Sequence, residues 1–267
     1  MNREELLGDT GVFGEIARRI TASRGQEPQD TSTHHTTLLQ EETKCQTCND
    51  YGRVVHDVPH DHPDFGESFP CPDCSGDFDK IGMILKYSGI PEEYQSVSFE
   101  NFEQRRGSET NYKDALSLTT GEEGVFMVLL LGGNGNGKTS LAYASGMDAI
   151  NKGIPVKFIR CDLLMRDFKA AKSQESEGQL LYSKLFSRYA QVPYLILDEF
   201  DWDSDADIRM LEKLVCERVV NRLMTLITTN RNLFILEDKF PRMMSRLKDR
   251  RFSRISFNQA SDYRLEA

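Results

Sequence analysis

Nine consecutive residues hold the densest chemistry in this 267-residue chain: Gly132, Gly133, Asn134, Gly135, Asn136, Gly137, Lys138, Thr139 and Ser140. They satisfy G-x-x-x-x-G-K-[ST], and phosphate chemistry explains the spacing. The glycines let backbone N–H groups curl around a β-phosphate with no Cβ in the way. Lys138 neutralises β and γ oxygens, and the Thr139 hydroxyl offers a Mg2+ position at a helix N-terminus, where the dipole favours anions. About sixty residues on comes YLILDEF. Asp198 there ends an apolar run, placed to hold Mg2+ through water, and Glu199 is placed to polarise an attacking water. These residues together predict a nucleoside-triphosphate hydrolase using ATP and Mg2+.

Two further elements bear on the same reaction. In TLITTN, Asn230 falls just past an apolar strand pattern, where an amide can orient a lytic water; Asn is also a common turn former there. In FPRMMSRLKDR, Arg242 and Arg246 stand four apart on one helical face, suited to reach a neighbouring subunit's γ-phosphate. A surface helix with charge pairs would read the same way.

A separate chemistry is written in four of the six cysteines, Cys45-x2-Cys48 and Cys71-x2-Cys74, with 22 residues between the pairs. Each C-x-x-C offers two thiolates on one knuckle, and two knuckles complete a tetrahedral zinc site. Disulfides and a redox pair compete with this reading, but nothing suggests an oxidising compartment or a thioredoxin-like context. His56, His60 and His62 lie between the pairs, so a histidine replacing one cysteine stays open. Cys161 and Cys216 are expected to be ordinary buried thiols.

The phosphate and acid motifs need a sheet to position them. Apolar β-type runs at 125–131, 155–160, 194–198, 224–229 and 254–257 predict five strands buried on both faces. Helical patterns at about 138–150, 162–171, 179–190, 207–222 and 241–248 alternate with them, the pattern of an α/β parallel sheet. Upstream, 1–44 is expected to hold one amphipathic helix at 11–23, with Val12, Phe13, Ile16, Ala17 and Ile20 on its stripe, then a polar linker. Residues 45–80 are too poor in aliphatics to fold without a metal. The expected division is 1–44, 45–80 as the zinc module, and 81–267 as the nucleotide domain.

Charge and hydropathy narrow the function. The longest apolar run, 125–131, is far short of the roughly 20 residues a membrane helix needs, and the N-terminus lacks a secretory pattern, so a soluble cytoplasmic protein is expected. Net charge is −9, all of it in the first 80 residues. A globally acidic chain is a poor general DNA binder, so nucleic-acid contact must be local. Residues 239–264 carry eight bases against two acids, a basic strip or a solvated helix face.

The phosphate loop, ILDE, the TLITTN strand and RMMSRL…SFNQASDYR together resemble the AAA+ ATPases of the DnaC/DnaI helicase-loader and IstB group. The resemblance runs from about residue 90 to Tyr263. It implies sheet order 5-1-4-3-2, a lidless core, and nucleotide held at the subunit interface of a homo-oligomer. About twenty residues follow Arg246, too few for the helical lid of most AAA+ proteins, in keeping with this group. It further implies that Asn230 is a sensor and Arg246 the finger, with Arg242 beside it. In loaders of this group a helix pair after the second strand contacts single-stranded DNA; the matching stretch, 163–186, supplies Arg166, Phe168, Lys169 and Lys172, an aromatic for base stacking with cations for phosphates. The expected function is loading of a DnaB-type hexameric replicative helicase, with the acidic N-terminal part docking on the helicase. The alternative is an IstB-like transposition ATPase acting with a transposase on double-stranded DNA.

Overall fold

A computed structural model describes residues 45, 47, 53–55, 68–73, 80–121, 124–173 and 178–263. The chain divides into two compact units, Met1–Asp79 and Lys80–Ala267. The expected helix at 11–23 lies outside the described residues.

In the first unit, β1 (Arg53–Val55) pairs antiparallel with β2 (Ser68–Pro70), Val54 opposite Phe69. Cys71 follows β2 directly and is buried.

The second unit begins with α1 (Lys80–Ser88) and a 3-10 turn (Glu92–Tyr94), followed by α2 (Glu109–Thr120). An alternation then runs through β3 (Met127–Gly132), α3 (Lys138–Asn151), β4 (Val156–Arg160), α4 (Cys161–Lys172), α5 (Gly178–Gln191), β5 (Tyr194–Asp198) and α6 (Asp205–Val220). It closes with β6 (Met224–Thr229), α7 (Leu233–Lys239), α8 (Pro241–Leu247) and β7 (Ser253–Asn258). The five strands β3–β7 form one parallel sheet in the order β4-β5-β6-β3-β7. Counted along the nucleotide domain, this is the expected 5-1-4-3-2.

The central strands β3, β5 and β6 are buried on both faces, and their period of two divides the core. Met127, Leu129 and Leu131 of β3, with Leu195, Leu197 and Ile227, pack toward α4, α5, α6 and α8. Val128 and Leu130, with Tyr194, Ile196 and Leu226, pack toward α2 and α3. Each such side chain removed from water contributes roughly 1.5–3 kcal/mol, so the central strands hold their register firmly. In a parallel sheet every strand ends at the same edge. Gly132, Asp198 and Thr229 are therefore carried to one rim.

Helix ends follow local chemistry. The Ser204 side chain accepts from the Asp207 N–H and starts α6, with Asp205 and Asp207 in its first turn. Asn232 caps α7 by accepting from the Ile235 N–H, and Pro241 opens α8. Helices α1, α2 and α7 were not anticipated in the sequence. Among the described residues, no helix is long and apolar enough to cross a membrane.

Candidate nucleotide site

Strand β3 ends at Gly132, residues 133–137 form the loop, and Lys138, Thr139 and Ser140 open α3. Gly137 sits at φ 87°, a left-handed conformation that a side chain would strain, and it turns the loop into the helix. Lys138 is buried, its Nζ donating to the carbonyl of Gly132 (2.9 Å), the carbonyl of Gly133 (2.6 Å) and Oδ1 of Asn136 (2.9 Å). Burial pushes its pKa down to about 8, against the pull of the Asp198 and Glu199 carboxylates. The ammonium is thus held in the loop by neutral acceptors that a phosphate anion would outcompete.

Asp198 ends β5 almost fully buried. Thr139 Oγ1 donates to its carboxylate at 3.0 Å, and Thr228 Oγ1 donates at 2.5 Å from β6. The same Thr228 hydroxyl accepts the Glu199 N–H at 3.1 Å, so one side chain orients both consecutive acids. Glu199 has φ 49°, unusual for a residue with a side chain and of the kind concentrated at functional sites. The Phe200 N–H bond to the Thr228 carbonyl (2.7 Å) helps to hold it there. Its carboxylate meets Arg160 Nε at 3.3 Å. Arg160 ends β4, in register with Asp198.

Lys138, Thr139, Glu199 and Thr228 line a cleft of about 630 Å3. On the β5–β6 side stand Thr139, Glu199 and Asn230; on the β7 side stand Phe102 and Tyr263. A second recess of about 570 Å3 shares Glu199 and Asn230 and is lined by Arg160, Arg166 and Lys169. The structure therefore gathers the loop, Asp198, Glu199 and Asn230. The hydroxyl of Thr139 and the carboxylate of Asp198, hard oxygens in direct contact, are a donor set that fits Mg2+.

Arg242 and Arg246 both lie on α8. Arg246 Nη1 donates to Cys216 Sγ at 3.4 Å and to the Arg242 carbonyl at 3.2 Å, and both arginines are exposed. Cys216 is half-buried, whereas Cys161 is fully buried and burial pushes its thiol pKa up.

The DNA-stacking expectation for Phe168 is corrected. Phe168 is fully buried, packed edge-on against Tyr182 and Tyr189 and tilted against Phe186, so a nucleobase finds no face to stack on. At 0% exposure it belongs to the core between α4 and α5. Of its neighbours, Arg166 is exposed and pairs with Asp167, Lys169 bonds the buried Asp207 carboxylate at 3.0 Å, and Lys172 lies over the Tyr182 ring at 4.3 Å.

In the first unit, Cys45 Sγ lies 3.6 Å from Cys71 Sγ, far beyond a disulfide bond. Four sulfurs held about 2.3 Å from one zinc stand about 3.8 Å apart, so this spacing fits two thiolates of a tetrahedral site. Thr47 bonds Asp73 across the same two segments. Cys48 and Cys74, with His56, His60 and His62, lie outside the described residues.

Three contributors were missed in the sequence. Thr228 is a hydroxyl inside an apolar strand, a mismatch that could have marked it. Arg160 sits at a strand end, where a cation reads as solvent-facing. The Asn258 amide donates to the Asn136 carbonyl (2.7 Å), stitching β7 to the phosphate loop over 122 positions of sequence. Nothing local signals such a pairing.

Comparison with known proteins follows the same lines. A family model described as IstB-like ATP binding protein matches residues 77–252. An ATP-binding protein of insertion sequence IS232 from Bacillus thuringiensis subsp. berliner is 28% identical over 174 residues, 64% of this chain and 67% of that one. The solved DnaC helicase loader superposes with a TM-score of 0.51 at 19% identity, over 63% of this chain and 100% of that one. The replication initiator DnaA bound to AMPPCP and single-stranded DNA gives 0.53 at 19% identity, over 65% of this chain but only 52% of that one. At such identities the two structures show a shared fold and nothing beyond it. The family model spans well over half of the sequence, from ahead of α1 to the start of β7, and the chain belongs to the IstB-like ATP binding protein family.

Proposed function

We propose that the chain is a Mg2+-dependent ATPase that loads a hexameric replicative helicase onto single-stranded DNA. The observation that carries the hydrolytic part is the Thr139–Asp198–Thr228 chain of hydrogen bonds, with Glu199 held beside it on the same cleft. Lys138 exchanges its carbonyl partners for β- and γ-phosphate oxygens. Thr139 and Asp198 would hold Mg2+, which supplies charge neutralisation for those oxygens. Asn230 orients a water and Glu199 accepts its proton. The water oxygen bonds to the γ-phosphorus, the bond from that phosphorus to the bridging oxygen breaks, and ADP departs with the electron pair.

Arg246 is assigned to the γ-phosphate of an adjacent copy, with Arg242 beside it. Its Nη1 donates to Cys216 Sγ and to the Arg242 carbonyl, both uncharged acceptors, which leaves its charge available to a neighbour. Mixing Lys138→Ala with Arg246→Ala subunits tests this. Each is inactive alone, and restored turnover in the mixture is the expected result.

Cys45, Cys48, Cys71 and Cys74 would hold Zn2+, which supplies folding free energy to a segment with little apolar core. The 3.6 Å Cys45–Cys71 spacing supports this. A metal-stapled acidic module ahead of an ATPase core is the arrangement that favours the loader reading, with single-stranded DNA contacted near Arg166, Lys169 and Lys172. The IS232 relative favours a second reading, a transposition ATPase acting with a transposase on double-stranded DNA. Co-purification with a hexameric helicase, together with salt-controlled titrations of single- and double-stranded DNA, separates them. Helicase capture and single-strand preference are expected; double-strand preference without helicase capture would support the second reading.

A further inference from the structure

A phosphate loop grips anions with its backbone N–H groups, so its carbonyls must be turned the other way. In a trans peptide the carbonyl of one residue and the N–H of the next point in opposite directions. Whatever holds a carbonyl therefore decides where the following N–H aims. In this loop the Lys138 ammonium takes the Gly132 and Gly133 carbonyls. The Tyr263 N–H takes the Gly135 carbonyl (2.9 Å). The Asn136 carbonyl is taken by Nδ2 of Asn258 (2.7 Å), the last residue of β7.

The Asn258 side chain is fixed in that orientation from several directions. Its backbone pairs in register with Gly132, where β3 enters the loop. Its Oδ1 accepts the Ala260 N–H (2.9 Å), which leaves Nδ2 to face the loop; with the amide ends exchanged, oxygen would oppose oxygen. Asn136 answers by donating from its own Nδ2 to the Asn258 carbonyl (3.4 Å), while its Oδ1 accepts from Lys138. Gly132 lets the two amides meet, because a Cβ there would lie 2.7 Å from the Asn258 carbonyl oxygen. Asn136 and Asn258 are 1% and 6% exposed, so water does not stand in for a bond lost between them. Gly135 and Gly137, at φ 65° and 87°, flank Asn136, which is not left-handed. Such alternation makes successive N–H groups converge on one anion.

We infer that Asn258 is a positioning residue of the phosphate loop: by holding the Asn136 carbonyl it aims the Gly137 N–H at the phosphate oxygens. It acts from behind the loop, through the Asn136–Gly137 peptide. Without its amide that peptide can rotate and present a carbonyl oxygen to the cleft, where it repels an anion. The Tyr263 N–H does the same for the preceding peptide, so β7 and the residues after it splint the loop in its anion-binding form. Asp198, Glu199 and Thr228 stand on β5 and β6 and keep their own hydrogen bonds. The splint therefore governs affinity for the nucleotide more than the rate of its hydrolysis. This inference rests on the reading of the phosphate loop as a triphosphate site.

The test titrates ATP with Mg2+ against the full chain and against Asn258→Ala, Asn258→Asp, Ile255→Ala and Lys138→Ala, with turnover at saturating ATP and melting curves alongside. Asn258→Ala is expected to weaken ATP about tenfold, as loss of one buried hydrogen bond requires, with saturating turnover within about threefold of wild type. Asn258→Asp keeps the shape, offers the carbonyl no donor and adds a negative charge, so it is expected to weaken ATP further. Ile255→Ala thins the same strand against the core and is expected to lower the melting temperature while leaving ATP affinity as it was. In wild type, hydrogen exchange at the Gly137 amide is expected to slow when ATP binds, a readout that needs no variant to fold. Wild-type affinity in Asn258→Ala, an equal loss in Ile255→Ala, a fall in saturating turnover as large as the fall in affinity, or unchanged exchange at Gly137 would overturn the positioning role. Failure of wild type to bind ATP, or its indifference to Lys138→Ala, would instead overturn the triphosphate reading.

Discussion

Arg160 Nε lies 3.3 Å from Oε2 of Glu199, tying the carboxylate that faces the phosphate cleft to the end of the adjacent strand. Both side chains are about half exposed, 50% and 56%. An ion pair of that kind is worth roughly 0–1 kcal/mol, weak enough to be exchanged for a water or a phosphate. It therefore restrains Glu199 without locking it. Arg160→Ala is expected to raise ATP turnover in the absence of partners, by up to about fivefold if the whole pair opposes the active geometry. Phosphate-release assays on the purified chain check this; a fall in turnover would mean that Arg160 assists the reaction itself.

Thr228 makes a sharper prediction because its single hydroxyl serves both Asp198 and the Glu199 backbone. Thr228→Val keeps the shape and removes both bonds. Turnover is expected to drop at least about tenfold, since misplaced charge-stabilising groups commonly cost this much or more. ATP affinity should change little, because Lys138 and the loop amides are untouched. Parallel measurement of equilibrium ATP binding and of hydrolysis distinguishes the two effects.

The depressed pKa of Lys138, about 8, sets a pH dependence for nucleotide binding. Below that value the ammonium is charged before the ligand arrives. Above it, the free protein holds a neutral amine and must take up a proton as the phosphates bind, so ATP affinity falls as pH rises from 8 toward 10. Stability runs the other way: between the folded value near 8 and the unfolded value near 10.5 the unfolded chain binds more protons, and this residue's contribution to stability rises with pH. Lys138→Arg stays charged throughout, so its ATP affinity, whatever its absolute level, should lose the alkaline decline. Calorimetric titration in buffers of different ionisation enthalpy reads the proton uptake directly.

Arg218 predicts an effect on stability with none on catalysis. It is fully buried, and its guanidinium donates to the Tyr189, Val192 and Met224 carbonyls and to Thr225 Oγ1, joining α5, α6 and β6. Burial pushes its pKa down to about 9. Arg218→Met keeps the apolar stem and strands those acceptors, at a cost of about 3 kcal/mol, given roughly 1–3 kcal/mol for each buried group left unsatisfied and some relaxation. Denaturant melts should show that loss, with the KM for ATP unchanged where the variant is folded.

Much of this site was legible in the sequence, for particular reasons. Strands β3 and β5 are continuous apolar runs, as strands buried on both faces require, and the more mixed β4, β6 and β7 were legible from their β-branched and aromatic residues between helical patterns. The phosphate loop, Asp198, Glu199 and Asn230 were found because each closes one of these strands, and strand ends in a parallel sheet share one rim. Helix α2 was missed because two of its four buried positions are Asn111 and Ser117, so no apolar stripe marks it. Helix α7 is a single short stretch in which Leu236 is buried and Phe234 exposed, too brief for a period to register. Phe168 was misread because an aromatic among cations looks the same in sequence whether the ring faces water or the core. Tyr263 marked only the end of a recognisable motif. Its contact with the phosphate loop depends on β7 lying beside β3, which topology alone decides.

The central claim is that this cleft hydrolyses ATP through Glu199. It is tested most directly by measuring phosphate release and equilibrium ATP binding side by side, in wild type and in Glu199→Gln, with Mg2+ present. The account predicts that the variant binds ATP within about threefold of wild type yet releases phosphate at least about a hundredfold more slowly, the scale of a lost general base. Wild-type turnover retained in Glu199→Gln would contradict it.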